Sequence, residues 1–232
     1  MIKNYHDFLS ALHQAGFSMG GGSAQGIYSV INWSWNEAPP YETPVRWHTG
    51  DAETDPWEWR MRVLEENTDI AYAKLFFKKS GYITKEWYPL FLSVRRHGQT
   101  FSQAYADGTL SHEARLLYDV VEEQGAVPLH SLKTLSGLHR KEDKSRFERA
   151  LTELQSRMFI TMCARQQKQS QKGEAYGWFS TVFCTTERFF SPGVFQKAAS
   201  IPTEEAADKI RAQILQLNPA ANEKIMVKFI KG

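Results

Sequence analysis

The stretch from Leu110 to Phe189 decides the fold, and it opens with SHEARLLYDVVEEQ at 111–124. There Ala114, Leu117, Tyr118 and Val121 fall at i, i+3, i+4 and i+7, the spacing of one helical face. Ser111 suits the N-cap, and Gly125 ends the run. Pro128 then opens a second helix over 129–136, which Gly137 stops. A third helix is expected over 141–157, where Phe147, Ala150, Leu151 and Leu154 repeat the spacing. After it the period changes. Residues 158–165 and 178–185 are rich in β-branched, aromatic and sulfur side chains, which suit strands. The polar loop between them, 166–177, carries Lys168, Lys172, Gly173 and Gly177. Three short helices and a hairpin make a winged helix-turn-helix, with that loop as the wing.

Charge placement gives this unit a partner. A helical wheel puts Lys141, Ser145, Arg149 and Thr152 on the outer face of the third helix, with Lys144 and Arg146 beside them. Such side chains donate to phosphate oxygens and base edges. Between Pro128 and Lys172, ten Lys or Arg face four acids, a local +6 on a chain of net +2. Clustered positive charge is the footprint of a polyanion. Double-stranded DNA is the expected partner, contacted through Lys141, Lys144, Ser145, Arg146, Arg149, Arg165, Lys168 and Lys172.

A chain of 232 residues makes one large domain or two small ones. With 42% hydrophobic and 23% charged residues, the composition is that of a soluble globular protein. No apolar run approaches the roughly 20 residues of a membrane helix. The N-terminus lacks the apolar core and cleavage site of a signal peptide, so a cytoplasmic location is expected. Cys163 and Cys184 sit one on each expected hairpin strand, and reduced core residues are the expected reading. No CxxC, HExxH or other ligand spacing exists, so neither a metal nor another cofactor is expected.

Before this unit, residues 4–15 form an amphipathic helix, and Gly20–Gly26 is a glycine-rich run without a nucleotide loop's Lys-Ser/Thr pair. It reads as a flexible connection. A strand is expected over 27–35 and a proline-rich loop over 36–44. Six of the seven tryptophans lie between Trp33 and Trp87. Asp55 can cap a helix with Pro56 at its first position, continuing to about 67. Residues 70–78 read as a further helix and 81–83 as extended. Thr84 caps residues 85–96, with Pro89 setting a start near Tyr88 or a kink. Arg95 and Arg96 lie where that helix's dipole favours cations. Residues 1–108 carry −2 and the remainder +4. The expected organisation is therefore an aromatic-rich helical module at 1–97, the winged-helix domain at 109–189, and a tail at 190–232. In that tail 203–217 is a helix and 225–230 a strand. The fold class is mainly α with small β hairpins.

The runs Trp57-Glu58-Trp59-Arg60, Ala73-Lys74-Leu75-Phe76-Phe77 and Gly81-Tyr82-Ile83-Thr84-Lys85-Glu86-Trp87, with Leu151-Thr152-Glu153-Leu154-Gln155 behind them, resemble a small bacterial group. That group is related to the AlkZ-type DNA glycosylases, tandem winged-helix proteins that remove alkylated or crosslinked bases. The resemblance covers about 47–190. It implies a winged-helix architecture, single or tandem, a DNA-repair role and a base-excision site between modules. AlkZ-type enzymes carry a Gln-apolar-Gln motif, or Gln-apolar-Asp in a sister group; this chain carries neither.

The corresponding position falls near Glu53-Thr54-Asp55 or at Asp55–Glu58, and Asp55 and Glu58 stand there among Trp47, Trp57 and Trp59. A glycosylase needs a group that positions water and supports an oxocarbenium-like sugar, with aromatic faces for an extruded base. Asp55 and Glu58 are the catalytic candidates, and the three tryptophans the stacking candidates. As plain structure, Asp55 is an N-cap, Glu58 a first-turn acid, and the tryptophans core. The leading expectation is a duplex DNA-binding protein related to DNA repair. The alternatives are an N-glycosylase, a transcription regulator and a protein-interaction module.

Overall fold

In the computed structural model, which describes residues 1–36, 43–66, 69–169 and 175–232, an α+β fold is built on one open antiparallel sheet. Its strands are β1 (Phe17–Met19), β2 (Ile70–Phe76), β3 (Lys79–Thr84), β4 (Ala126–Pro128), β5 (Ile160–Gln169) and β6 (Ala175–Thr185), in the order β1-β3-β2-β5-β6-β4. β2 and β3 form one hairpin, with Tyr72 opposite Tyr82. β5 and β6 form another, with Met162 opposite Phe183, and β4 pairs along the far side of β6. The hairpins join where Tyr72 pairs with Met162.

Helices cover both faces. One face carries α1 (Tyr5–Ala15), α2 (Pro56–Glu65), α5 (His112–Gln124), α6 (Leu129–Leu135) and α7 (Lys144–Ser156). Their Phe8, Trp59, Leu117, Leu132 and Leu154 pack with Tyr72, Tyr82 and Phe183 of the sheet. The other carries α3 (Tyr88–Arg96), α9 (Pro192–Ser200), α10 (Thr203–Leu217) and α11 (Glu223–Lys231). There Phe91, Val194, Ile210 and Phe229 pack with Phe17, Ala71, Ala73 and Ile83. Two short helices, α4 (Phe101–Ala106) and α8 (Thr186–Phe189), complete the set described.

The unit at 111–185 follows the expected helices closely. Ser111 caps α5 by accepting from the Ala114 N–H, and Gly125 ends it. Lys141–Asp143 is a 3-10 turn leading into α7. The strands run further into the expected wing than their composition suggested. Lys172 and the rest of 170–174 lie outside the described residues.

Three expected elements are corrected. Residues 70–78 are a strand and a turn, not a helix. β2 is buried on both faces: Ile70 and Tyr72 enter one core, Ala71 and Ala73 the other. A strand buried on both sides shows no polar alternation, so its Ala, Leu and Lys read as helix. Residues 225–230 are helical, not extended. Asn222 caps α11 by accepting from the Lys224 N–H, and Met226, Phe229 and Ile230 are its buried stripe. Residues 27–35 form no strand. They run beside β1 without a regular ladder: the Met19 N–H donates to the Tyr28 carbonyl, and side chains continue the contact, the Ser18 hydroxyl accepting from the Val30 N–H and the Ser29 hydroxyl donating to the Met19 carbonyl.

The glycine run is a close approach rather than a loose tether. The Gly20 N–H donates to the Ser80 carbonyl, and a Cβ on Gly20 would lie 2.7 Å from that oxygen. Gly21, at φ +108°, leaves room for the Trp47 ring. The Arg95–Arg96 pair is not a solvated helix end. Arg95 is buried and donates to the carbonyls of Leu75, Ser156, Phe229 and Ile230, tying β2, α7 and α11 together. Arg96 bonds the Met158 carbonyl, the Thr186 hydroxyl and the Glu187 carboxylate. The expected joint at 97–109 contains α4, whose Phe101 stacks on Tyr118 at 3.7 Å.

Candidate nucleic-acid interface

α7 buries Phe147, Ala150, Leu151 and Leu154 and turns its polar side outward. Lys141, Lys144, Ser145 and Arg149 are exposed there and make no side-chain hydrogen bond or ion pair among the described residues. Arg140, just before the 3-10 turn, is equally exposed and unpaired among them. Glu142 and Glu148 share this surface.

Arg146 differs. Its guanidinium holds Glu113 of α5 at 2.6 Å and Asp143 at 3.2 Å. Glu113's carboxyl is held below its usual range by its own backbone N–H and then by Arg146. Arg165 on β5 is likewise engaged, with Glu58 at 2.7 Å and Glu65 at 2.9 Å, and it lies over the Phe179 ring. A cation already matched by carboxylates has less field to offer a phosphate. Lys168 lies on β5 opposite Tyr176.

The acids and tryptophans around α2 take separate roles. Asp55 is fully buried and caps α2. One of its oxygens accepts from the Trp57 and His48 N–H groups, the other from the Gly50 N–H. That is the geometry of a helix cap that also pins the 48–50 loop, with no open side for water. Glu58 points instead to Arg165, so the two acids do not converge. Trp59 is core: it is fully buried against Phe8 and Tyr5, and its indole N–H donates to the Ala52 carbonyl. It offers no face to a base. Trp47 donates to the Trp33 carbonyl and is partly buried. Trp57 is 43% exposed, with the Arg60 guanidinium 3.6 Å above its ring and the His48 ring 4.8 Å away.

A model of the AlkZ-related family matches residues 2–231. The chain belongs to that family. The match reaches well beyond the 47–190 region in which the resemblance is visible, taking in α1 and the helices after β6. No curated protein and no solved structure matches the chain. Among the described residues of this AlkZ-related protein, no helix is long and apolar enough to cross a membrane.

Sequence reasoning missed Arg140, Arg60 and His48. The Arg140-Lys141 pair at the entry to the third helix was a usable signal for the first. The i, i+3 spacing on the expected helix already sets Arg60 beside Trp57, whereas nothing in the sequence adds His48, whose place depends on the loop held by Asp55.

Proposed function

We propose that this AlkZ-related protein binds duplex DNA through the 111–185 unit, acting as a winged helix in a DNA-repair setting. The order α5-β4-α6-α7-β5-β6, with β4 closing on β6, supports the winged-helix reading. α7 then takes the recognition position, and the β5–β6 hairpin the wing. The observation that carries the proposal is the row Arg140, Lys141, Lys144 and Arg149. These are four exposed cations without an acid partner among the described residues, on the outer side of the α6–α7 corner. Exposed, unpaired Lys and Arg release counterions when they meet phosphates, which gives affinity without strong sequence preference.

Binding, rather than base excision, is the favoured activity. Asp55 is a saturated cap, Glu58 is ion-paired, and Trp59 is core. Release of alkylated bases from duplex DNA by the wild type would reverse that preference.

The test is duplex binding as a function of salt, with wild type and the Lys141→Ala/Lys144→Ala/Arg149→Ala variant. The variant should bind more weakly, and its log–log salt slope should flatten by about 0.9 for each phosphate it no longer neutralises. Unchanged affinity and slope would move any DNA-binding surface off this face.

A further inference from the structure

The two cysteines sit together at a cavity that the DNA-binding proposal does not use. In an antiparallel pair, residues on one face of adjacent strands are direct or diagonal neighbours. Cys184 on β6 is paired with Thr161, and Cys163 lies two residues along β5 on the same face. Cys163 is the extra residue of a bulge: Met162 faces Phe183 and Ala164 faces Val182. Cys163 is partly buried, while Cys184 is buried. Both sulfurs border one cavity, and the Cys163 thiol donates to the Val182 carbonyl across the hairpin at 3.6 Å. Beside them opens a cavity of about 530 Å³, lined also by Gln124, Ala126, Arg188 and Phe189.

The environments of the two sulfurs are unequal. The neighbouring Cys184 thiol holds the Cys163 thiol below its usual range, against the effect of burial. Cys163 in turn, and then burial, pushes the Cys184 thiol up. The thiolate is the nucleophile, and a partly exposed thiol with a lowered value beside a second cysteine at one cavity has the layout of an attacking and a resolving pair.

We propose that Cys163 and Cys184 form a dithiol site, with Cys163 attacking two-electron oxidants of the peroxide class and Cys184 closing an intrachain disulfide between β5 and β6. The Cys163 thiolate attacks one oxygen of hydrogen peroxide, the O–O bond breaks, and hydroxide leaves, taking up the thiol's proton as water. The sulfur is now a sulfenic acid. Cys184 sulfur attacks it, the S–O bond breaks, and the hydroxyl leaves with the Cys184 proton as a second water. Two thiols have given up two electrons, and one peroxide has become two waters. The site is independent of the DNA-binding proposal and stands if that proposal fails.

The experiment treats the full chain, in its native state, with stoichiometric hydrogen peroxide. Intact mass, peptide mapping and thiol titration then read the product. The expected product is a monomer lacking two hydrogens, with a 163–184 linked peptide that dithiothreitol reverses. Before oxidation, Cys163 should alkylate with iodoacetamide on the order of tenfold faster than Cys184. In Cys184→Ser, with its far-UV spectrum checked, Cys163 should proceed to sulfinic acid. Sulfinic acid in the wild type, intermolecular disulfides, or two thiols left free would each overturn the proposal. Those wild-type outcomes do not depend on the serine variant folding.

Discussion

Asp55 and Glu58 are three residues apart and both acidic, yet they do different work. Asp55 accepts three backbone N–H bonds in a site without solvent. Removing it strands those donors and unpins the 48–50 loop. Asp55→Ala should therefore cost about 3 kcal/mol, the upper range for hydrogen bonds to a charged group. Glu58 is about a quarter exposed and pairs with an Arg165 that keeps Glu65 as a second partner. Its ion pair is screened, and Glu58→Gln should cost less than about 1 kcal/mol. Urea denaturation of both variants checks the contrast, and equal costs would contradict it. The cap was legible in the sequence because Asp-Pro at a helix start is a local signal. The partners of Glu58 were not, since Arg165 is more than a hundred residues away in the chain. The same divide separates the tryptophans. Positions two apart on α2 send Trp59 into the core and leave Trp57 outside, a difference set by which side of the helix α1 covers.

Among the elements, α5 and α7 meet through a charge pair that restrains the proposed DNA-binding face. Glu113 sits in the first turn of α5 and holds Arg146 of α7. Removing that carboxylate leaves the Arg146 guanidinium only its longer contact to Asp143, at 3.2 Å, and so more charge to offer a phosphate. Glu113→Ala should tighten duplex binding and steepen the salt slope by up to about 0.9, the effect of one more neutralised phosphate. Titration of binding against salt reads this directly, and a weaker or unchanged slope would mean that Arg146 lies off the DNA-binding surface. The same pair has a pH signature. The folded-state value of Glu113 lies below the ordinary 4.5. Its stabilising contribution is thus full above about the unfolded value and disappears as pH falls through the folded one. The stability gap between wild type and Glu113→Gln should accordingly close on acidification. Among the elements themselves, amphipathic helices with local caps were legible: α1, α5, α7 and α10 each bury the stripe their spacing marks. β2 and α11 were not. β2 is buried on two faces by elements from both ends of the chain, and the Asn222 cap of α11 is a weak signal beside the apolar residues that flank Lys228.

On the scale of the whole molecule, the sequence boundaries near 97 and 190 do not divide the cores. One core joins Tyr5 and Phe8 to Leu117, Leu154 and Phe183, and the other joins Phe17 and Ile83 to Val194, Ile210 and Phe229. The sheet crosses from the first hairpin to the second at Tyr72 and Met162. Arg95 adds a polar tie, because its one buried guanidinium bonds carbonyls of β2, α7 and α11. Detaching any one of these segments would uncover apolar surface on the sheet and leave Arg95 with unmatched donors, which is costly in a buried site. The chain should therefore unfold as one cooperative body. Two probes see different parts of it: six of seven tryptophans lie between Trp33 and Trp87, whereas helices are spread from Tyr5 to Lys231. Tryptophan fluorescence and far-UV circular dichroism should give coincident denaturation curves, the mark of two-state behaviour. Phe229→Ala removes a ring stacked on Phe76 at 3.9 Å and should cost about 3–5 kcal/mol. In a cooperative body it shifts both curves by the same amount, although residue 229 is far in sequence from every tryptophan but Trp178. A shift of the dichroism curve alone would show that the C-terminal helices unfold separately.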